Sequence, residues 1–190
     1  MDFSPLLHEL DVLQDCALCP RNCHADRFSS TLGYCRTGIG FNISSICIHQ
    51  GEEPVISGSK GICNLFFAHC NLQCSFCQNH QISDNQINPA LFSVSLEEVI
   101  RQVTGILDQG INRVGFVSPS HMIPQMKIII RAVEQLGYHP TWVYNSNGYD
   151  KVETLRGLEG MIDVYLPDLK YMDPLLAAKL SDAEDYPEVA

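Results

Sequence analysis

From residue 62 onward, short and nearly continuous apolar runs alternate with amphipathic stretches, and this rhythm restricts the chain more than any other feature. The runs are ICNLFF (62–67), RVGFV (113–117), TWVYN (141–145) and MIDVYL (161–166). A strand that is apolar at successive positions has both faces covered, which points to an α/β fold: a parallel sheet under helices joined by right-handed crossovers. The helical stretches carry their own punctuation. Ser95 precedes LEEVIRQVTGILDQ as an N-cap, Glu98 falls at the third helical position and Gly110 ends the run. Further helices are expected over about 123–136 before Gly137, over 151–158, and from Asp173. This gives about four β-α units. The chain stops at SDAEDYPEVA with no element to cap a parallel edge, so it reads as truncated there.

Residues 1–60 read differently from 61–190. Between 16 and 60 the chain is rich in Gly, Ser and Cys, has no sustained helical period and needs a staple, so two units are expected: a small Cys-rich amino-terminal segment and an α/β core. The formal charge of -10, from 12 basic and 22 acidic residues, argues against a surface for nucleic-acid phosphates or anionic lipid. No secretory leader pattern and no membrane-length apolar run is present, and a cytoplasmic location is expected. Seven of the nine cysteines fall into two tight clusters, which in a reducing compartment means metal. Cys47 and Cys63, outside the clusters, read as small buried hydrophobes.

In sheets of this kind the site lies at the carboxyl ends of the strands, on loops CNLQCSFC, SPSH, NSNGYD and PDLKY. The first holds Cys70, Cys74 and Cys77, with His69 and His80 flanking. Gaps of three and two residues let one short loop wrap three corners of an iron–sulfur cluster, leaving the fourth iron open for chemistry. The alternative is zinc on the three thiolates plus His69 or His80. Against zinc, its knuckles build on Cys-x2-Cys pairs, whereas the first gap here is three.

Cys-x3-Cys-x2-Cys with an aromatic residue, Phe76, before the last cysteine resembles the signature of the radical S-adenosylmethionine (radical SAM) superfamily. CALCPRNCHADR, GYCRTG, GEEPVISGSKG, VYNSNGYD and YLPDLKYMDP are similar to its branch of pyruvate formate-lyase activating enzyme-like proteins, most of them of unassigned substrate. The resemblance implies a partial, TIM-like β/α barrel, short of the six strands of the family. It also implies a 4Fe-4S cluster on Cys70, Cys74 and Cys77, whose open iron is chelated by S-adenosylmethionine (SAM). Reductive cleavage then gives a 5'-deoxyadenosyl radical that abstracts hydrogen, making the chain an oxidoreductase with a low-potential electron donor of flavodoxin or ferredoxin type. Phe76 is expected against the adenine. A glycyl-radical protein is the implied substrate of an activase; a small molecule or another protein is the alternative.

Activating enzymes carry Gly-Gly-Glu after the second strand to bind the SAM amino group, and this chain departs from that pattern. Its similar string, Gly51-Glu52-Glu53, precedes the cluster strand, and Val117-Ser118-Pro119-Ser120-His121 stands in the expected place. Ser118 or Ser120 can accept from an ammonium group, and His121 can bind a carboxylate or move a proton. Asn145 opens an amide-rich loop suited to ribose or carboxylate, and Asp168 and Lys170 form a charged pair after the fourth run. Cys16, Cys19, Cys23 and Cys35 make a separate four-thiol set for an auxiliary iron–sulfur cluster or zinc. The reading from another class is a zinc-stapled binding module without catalysis.

Overall fold

The computed structural model describes residues 2–29 and 32–190. The strands are β1 (Phe41–His49), β2 (Ile62–Phe67), β3 (Ser93–Val94), β4 (Arg113–Val117), β5 (Thr141–Ser146) and β6 (Val164–Pro167). The α-helices are α1 (Pro54–Ser57), α2 (His80–Ser83), α3 (Leu96–Leu107), α4 (Ile123–Gln135), α5 (Val152–Arg156), α6 (Pro174–Ser181) and α7 (Tyr186–Val189). Two 3-10 helices span Ser4–Asp15 and Pro89–Phe92.

One six-stranded sheet, ordered β3-β1-β2-β4-β5-β6, carries the chain and does not close on itself. The four strands from β2 to β6 are parallel, as the apolar runs predict. The strand β1 is a correction to the all-parallel expectation. A nine-residue strand from the Cys-rich segment pairs antiparallel with β2 through six of its residues, and β3 pairs antiparallel with β1. Phe41–His49 reads FNISSICIH, whose β-branched and aromatic residues suit a pleated strand, but its Asn, Ser and Cys blend with the polar, Cys-rich segment around it.

Period-2 alternation sorts the parallel strands into two faces. Cys63, Leu65, Phe67, Val114, Phe116, Trp142 and Tyr144 pack under α3 and α4 in the main core. The rings of Phe67, Phe116 and Trp142 stack across β2, β4 and β5 at 6.2 and 5.7 Å. On the opposite, inner face lie Ile62 and Val143, with Val164 and Leu166 packed on them. The next inner row towards the carboxyl ends is Phe66, Val117 and Asn145, and it is there that the wall opens.

Helix ends follow the predicted chemistry. Ser95 Oγ accepts from Glu98 N at 3.2 Å, and Asp173 accepts from Leu175 N and Leu176 N. Gly110 and Gly137 take left-handed φ of 81° and 87° just past α3 and α4. The fourth parallel strand starts later than 161. Met161 and Ile162 both donate backbone N–H to Leu158 O, closing the turn after α5, so pairing begins at Val164.

The amino-terminal helix Ser4–Asp15 buries Leu6, Leu10 and Leu13 against the core. Glu9 anchors it to α4 through Arg131 at 2.6 Å and Lys127 at 3.7 Å. Cys63 is buried, as expected; Cys47 is exposed, because its side chain points off β1 on the uncovered side.

Candidate active site at the three-cysteine loop

Leaving β2, the chain turns sharply at His69, a non-glycine residue with φ of 66°, which aims Cys70 across the sheet end. His69 Nδ1 is bonded to Cys35 O at 2.7 Å, and its N–H donates to Ile82 O. Asn85 clamps the loop from behind: its Oδ1 accepts from Cys70 N, and its Nδ2 donates to Cys70 O and Tyr34 O. Gln73 ties the middle of the loop to α2, donating to Ser83 O and accepting from Asn85 N. A short loop with this many side-chain braces is held rather than flexible.

Cys70, Cys74 and Cys77 line one cavity of about 550 Å³, and with them stand Phe76, Val117, Ser118, Asn145, Asn147, Asp168 and Lys170. Each sulfur has a hydrogen-bond partner. Asn147 Nδ2 and Leu72 N donate to Cys70 Sγ at 3.3 and 3.4 Å, Ser181 Oγ donates to Cys74 Sγ at 2.9 Å, and Ser83 Oγ lies 3.2 Å from Cys77 Sγ. Donors aimed at sulfur favour the thiolate and tune a cluster bound to it.

Burial works the other way. It pushes the Cys70 thiol up to about 12, and raises Cys74 as well against the opposing Ser181 hydroxyl and Lys170 charge. Without a cation both are neutral at physiological pH, so loading metal must release protons.

Does this donor set fit an iron–sulfur cluster? Among the described residues, no three His, Cys, Asp or Glu side chains are gathered as ligands of a single ion. The three thiols instead lie around one end of a roomy cavity, as corners of a larger body would require. Neither His69 nor His80 lines that cavity. Three thiols on one roomy cavity fit the cluster, and the two histidines that flank the loop do not join them there.

The expected binding residues divide. Phe76 is 55% exposed, with its ring edge-on to Tyr171 at 6.2 Å, and lines the cavity rather than packing in a core. Ser118, held at φ of 51° with its N–H on Asn145 O, lines the cavity with Asn145 itself. Asp168 and Lys170 pair at 2.5 Å on the same wall. Burial pulls the Lys170 ammonium down, but the Asp168 carboxylate outweighs it and holds Lys170 above its usual value. Ser120 and His121 are buried outside the lining, turned back under the sheet end.

Asn147 belongs to the amide-rich loop expected to meet ribose or carboxylate, and what escaped is its contact with a sulfur; Glu52 escaped as a cavity residue. Asn147 reaches the cavity and Cys70 Sγ because Tyr149 N donates to its Oδ1, fixing the amide. Glu52 reaches the same cavity, with Oε1 accepting from Asn64 Nδ2 at 2.9 Å, because β1 folds back along β2. The alternation of Phe41–His49 is the signal that finds that strand.

His121 has a separate use as a pH reporter. Burial depresses its pKa to about 3, while Nε2 donates to Ala68 O. The unfolded chain takes up this proton below about 6.5 and the folded one does not, so stability falls as pH drops from about 6.5 towards 3. Chemical denaturation of His121→Gln between pH 7 and 5 is expected to show a shallower loss than the parent. Equal slopes would assign the acid sensitivity to other groups.

The chain is thus an α/β protein that presents three braced cysteines at the carboxyl ends of the parallel strands of an open, mixed sheet. Residues 64–189 match the radical SAM superfamily, and the chain belongs to it. It is also 31% identical over 180 residues to an uncharacterized protein of Methanocaldococcus jannaschii, covering 93% of this chain and 51% of that one. The chain thus spans about half the length of the curated relative it matches. Superfamily membership implies a 4Fe-4S cluster and SAM. No helix among the described residues is long and apolar enough to cross a membrane.

Proposed function

We propose that the chain is the SAM-cleaving core of a radical SAM enzyme, with Cys70, Cys74 and Cys77 as cluster ligands and the adjoining cavity as the SAM site. The observation that carries this reading is the single cavity shared by the three thiols, an exposed aromatic ring, a carboxylate–ammonium pair and four carboxamides. Bound there, the cluster supplies an electron for cleavage of SAM to methionine and a hydrogen-abstracting 5'-deoxyadenosyl radical. Asn147, Ser181 and Ser83 hold the three sulfurs. Phe76 offers its face to the adenine, Lys170 its ammonium to the methionine carboxylate, and Asp168, Ser118 and Asn145 accept from the amino group or ribose. Glu52 provides the acidic group that the sequence lacks after its second parallel strand.

The finer reading is an activase that takes hydrogen from a glycine of a partner protein, served by a flavodoxin- or ferredoxin-type donor in the cytoplasm. Its support is the similarity of the loop motifs to activating enzymes, and the apolar side chains Leu169, Met172 and Leu175, each more than 60% exposed beyond the cavity wall. The anaerobically reconstituted, reduced protein is expected to convert SAM to 5'-deoxyadenosine and, with a glycyl-radical partner, to leave a protein radical visible by electron paramagnetic resonance. Cleavage without any protein radical across candidate partners would move the substrate to a small molecule. Absence of cleavage with about four irons bound would remove the enzymatic reading.

A further inference from the structure

Cys16, Cys19, Cys23 and Cys35 line one small cavity although they span twenty positions of a segment with almost no regular structure among its described residues. Apart from an isolated bridge between Cys16 and Ala25, the local fold consists of turns, with Asn22, His24 and Arg36 in left-handed backbone. Such conformations persist only where surroundings over-determine them. Each sulfur has a polar partner: the backbone of Arg21 donates at Cys19, Tyr34 N at Cys23 (3.2 Å) and the Arg27 guanidinium at Cys16 (3.9 Å), and the Thr37 hydroxyl lies 3.2 Å from Cys35 Sγ.

Arg27 is the decisive residue. It is 2% exposed and its nitrogens reach Thr37 O, Thr37 Oγ1, Gly38 O, His121 O and Met122 Sδ, neutral acceptors all. No carboxylate pairs with it among the described residues. A buried cation without an anion is costly, and the thiols that share its cavity, Cys16 in contact with it, become anionic on binding metal. A second orphan stands on the same wall. His121 is fully buried, its Nε2 donates to Ala68 O, and its Nδ1 lone pair has no partner.

We propose that these four cysteines form a second, closed metal centre, a tetrathiolate site for an iron–sulfur cluster or zinc, whose net negative charge neutralises Arg27 and whose metal staples the segment from Cys16 to Cys35 together. Four thiolates outweigh either metal core, so the charge argument holds for both. The room inside, about 20 Å³, suits one ion, whereas the sulfurs are not gathered as closely as one ion's ligands. The two metals therefore become arms of the experiment. The centre stands back to back with the three-cysteine loop: Asn71 lines the four-thiol cavity, its carbonyl accepts from Arg21 Nε at 2.9 Å, and Cys70 beside it lines the other. Closed on all sides by protein thiolates, the second centre is structural rather than substrate-binding.

The test removes the first site and asks what remains. Cys70→Ala/Cys74→Ala/Cys77→Ala protein, purified anaerobically, is expected to retain either about four irons with sulfide or about one zinc per chain. X-ray absorption is expected to show a sulfur-only shell, and adding Cys19→Ala should abolish it. Should the triple variant be insoluble, the same absorption and metal counts on the parent and on Cys19→Ala alone decide the matter by difference. Soluble protein with no stoichiometric metal beyond the first site, and four freely titratable amino-terminal thiols, overturns the proposal. Because no SAM cleavage is read, failure of the second centre and failure of the enzymatic reading remain distinct.

Discussion

Cys74→Ala is expected to abolish SAM cleavage and to strip iron from the three-cysteine loop while leaving the fold intact. Cys74 is partly exposed at the cavity and lies outside the main core, so shortening it removes a ligand and little packing. Two thiolates then remain for a body that needs three, and an iron left to water is lost on handling. Ser181→Ala is the graded companion. It deletes the donor at 2.9 Å from Cys74 Sγ but keeps the ligand, so iron binding weakens by about 10–100-fold and the reduction potential shifts, without loss of all turnover. Iron and sulfide content, the visible charge-transfer band and 5'-deoxyadenosine formation read the series. Cleavage retained in Cys74→Ala at parental iron content would remove the cluster assignment from this loop.

What the sequence disclosed and what it withheld follow one physical division. The parallel strands were legible because strands covered on both faces are apolar at nearly every position, and their helices carry caps at Ser95 and Asp173 that act within three residues. The cysteine loop was legible because its spacing is a local constraint. Strand β1 was not, since its alternation is set among the Gly, Ser and Cys of a segment with little regular structure; pairing with β2, at least thirteen positions away in sequence, makes it a strand. The same non-local pairing brings Glu52 into the cavity. His121 and Ser120 looked available beside Ser118 because adjacent residues share a loop. In the fold, the left-handed turn at Ser118 sends the chain inward, leaving Ser118 alone facing the opening.

Gly148→Ala is expected to destabilise the protein by about 3 kcal/mol or more and to cripple SAM binding, although it adds one methyl group to a loop. Gly148 holds φ of 76°, and a Cβ there would lie 2.1 Å from Asp168 O and 2.8 Å from the Tyr186 hydroxyl. Neither neighbour can retreat cheaply. Asp168 N is bonded to Ser146 O, and the Tyr186 hydroxyl spans Asn147 O and Asp168 O at 2.8 and 3.1 Å, so these backbones are mutually tied. Relief must move Asn147, the donor to Cys70, or Asp168, the partner of Lys170, and both stand on the cavity wall. Gly137→Ala separates strain from clash. Its φ of 87° is as unfavourable, yet its Cβ would meet nothing within 4 Å, so it should cost only about 1 kcal/mol and leave SAM binding unchanged. Urea unfolding and equilibrium SAM binding of the reconstituted variants measure both. If the two substitutions cost the same, the close approach at Asp168 is absorbed by the loop, and the β5 and β6 ends are not the rigid frame that the shared hydroxyl of Tyr186 makes them.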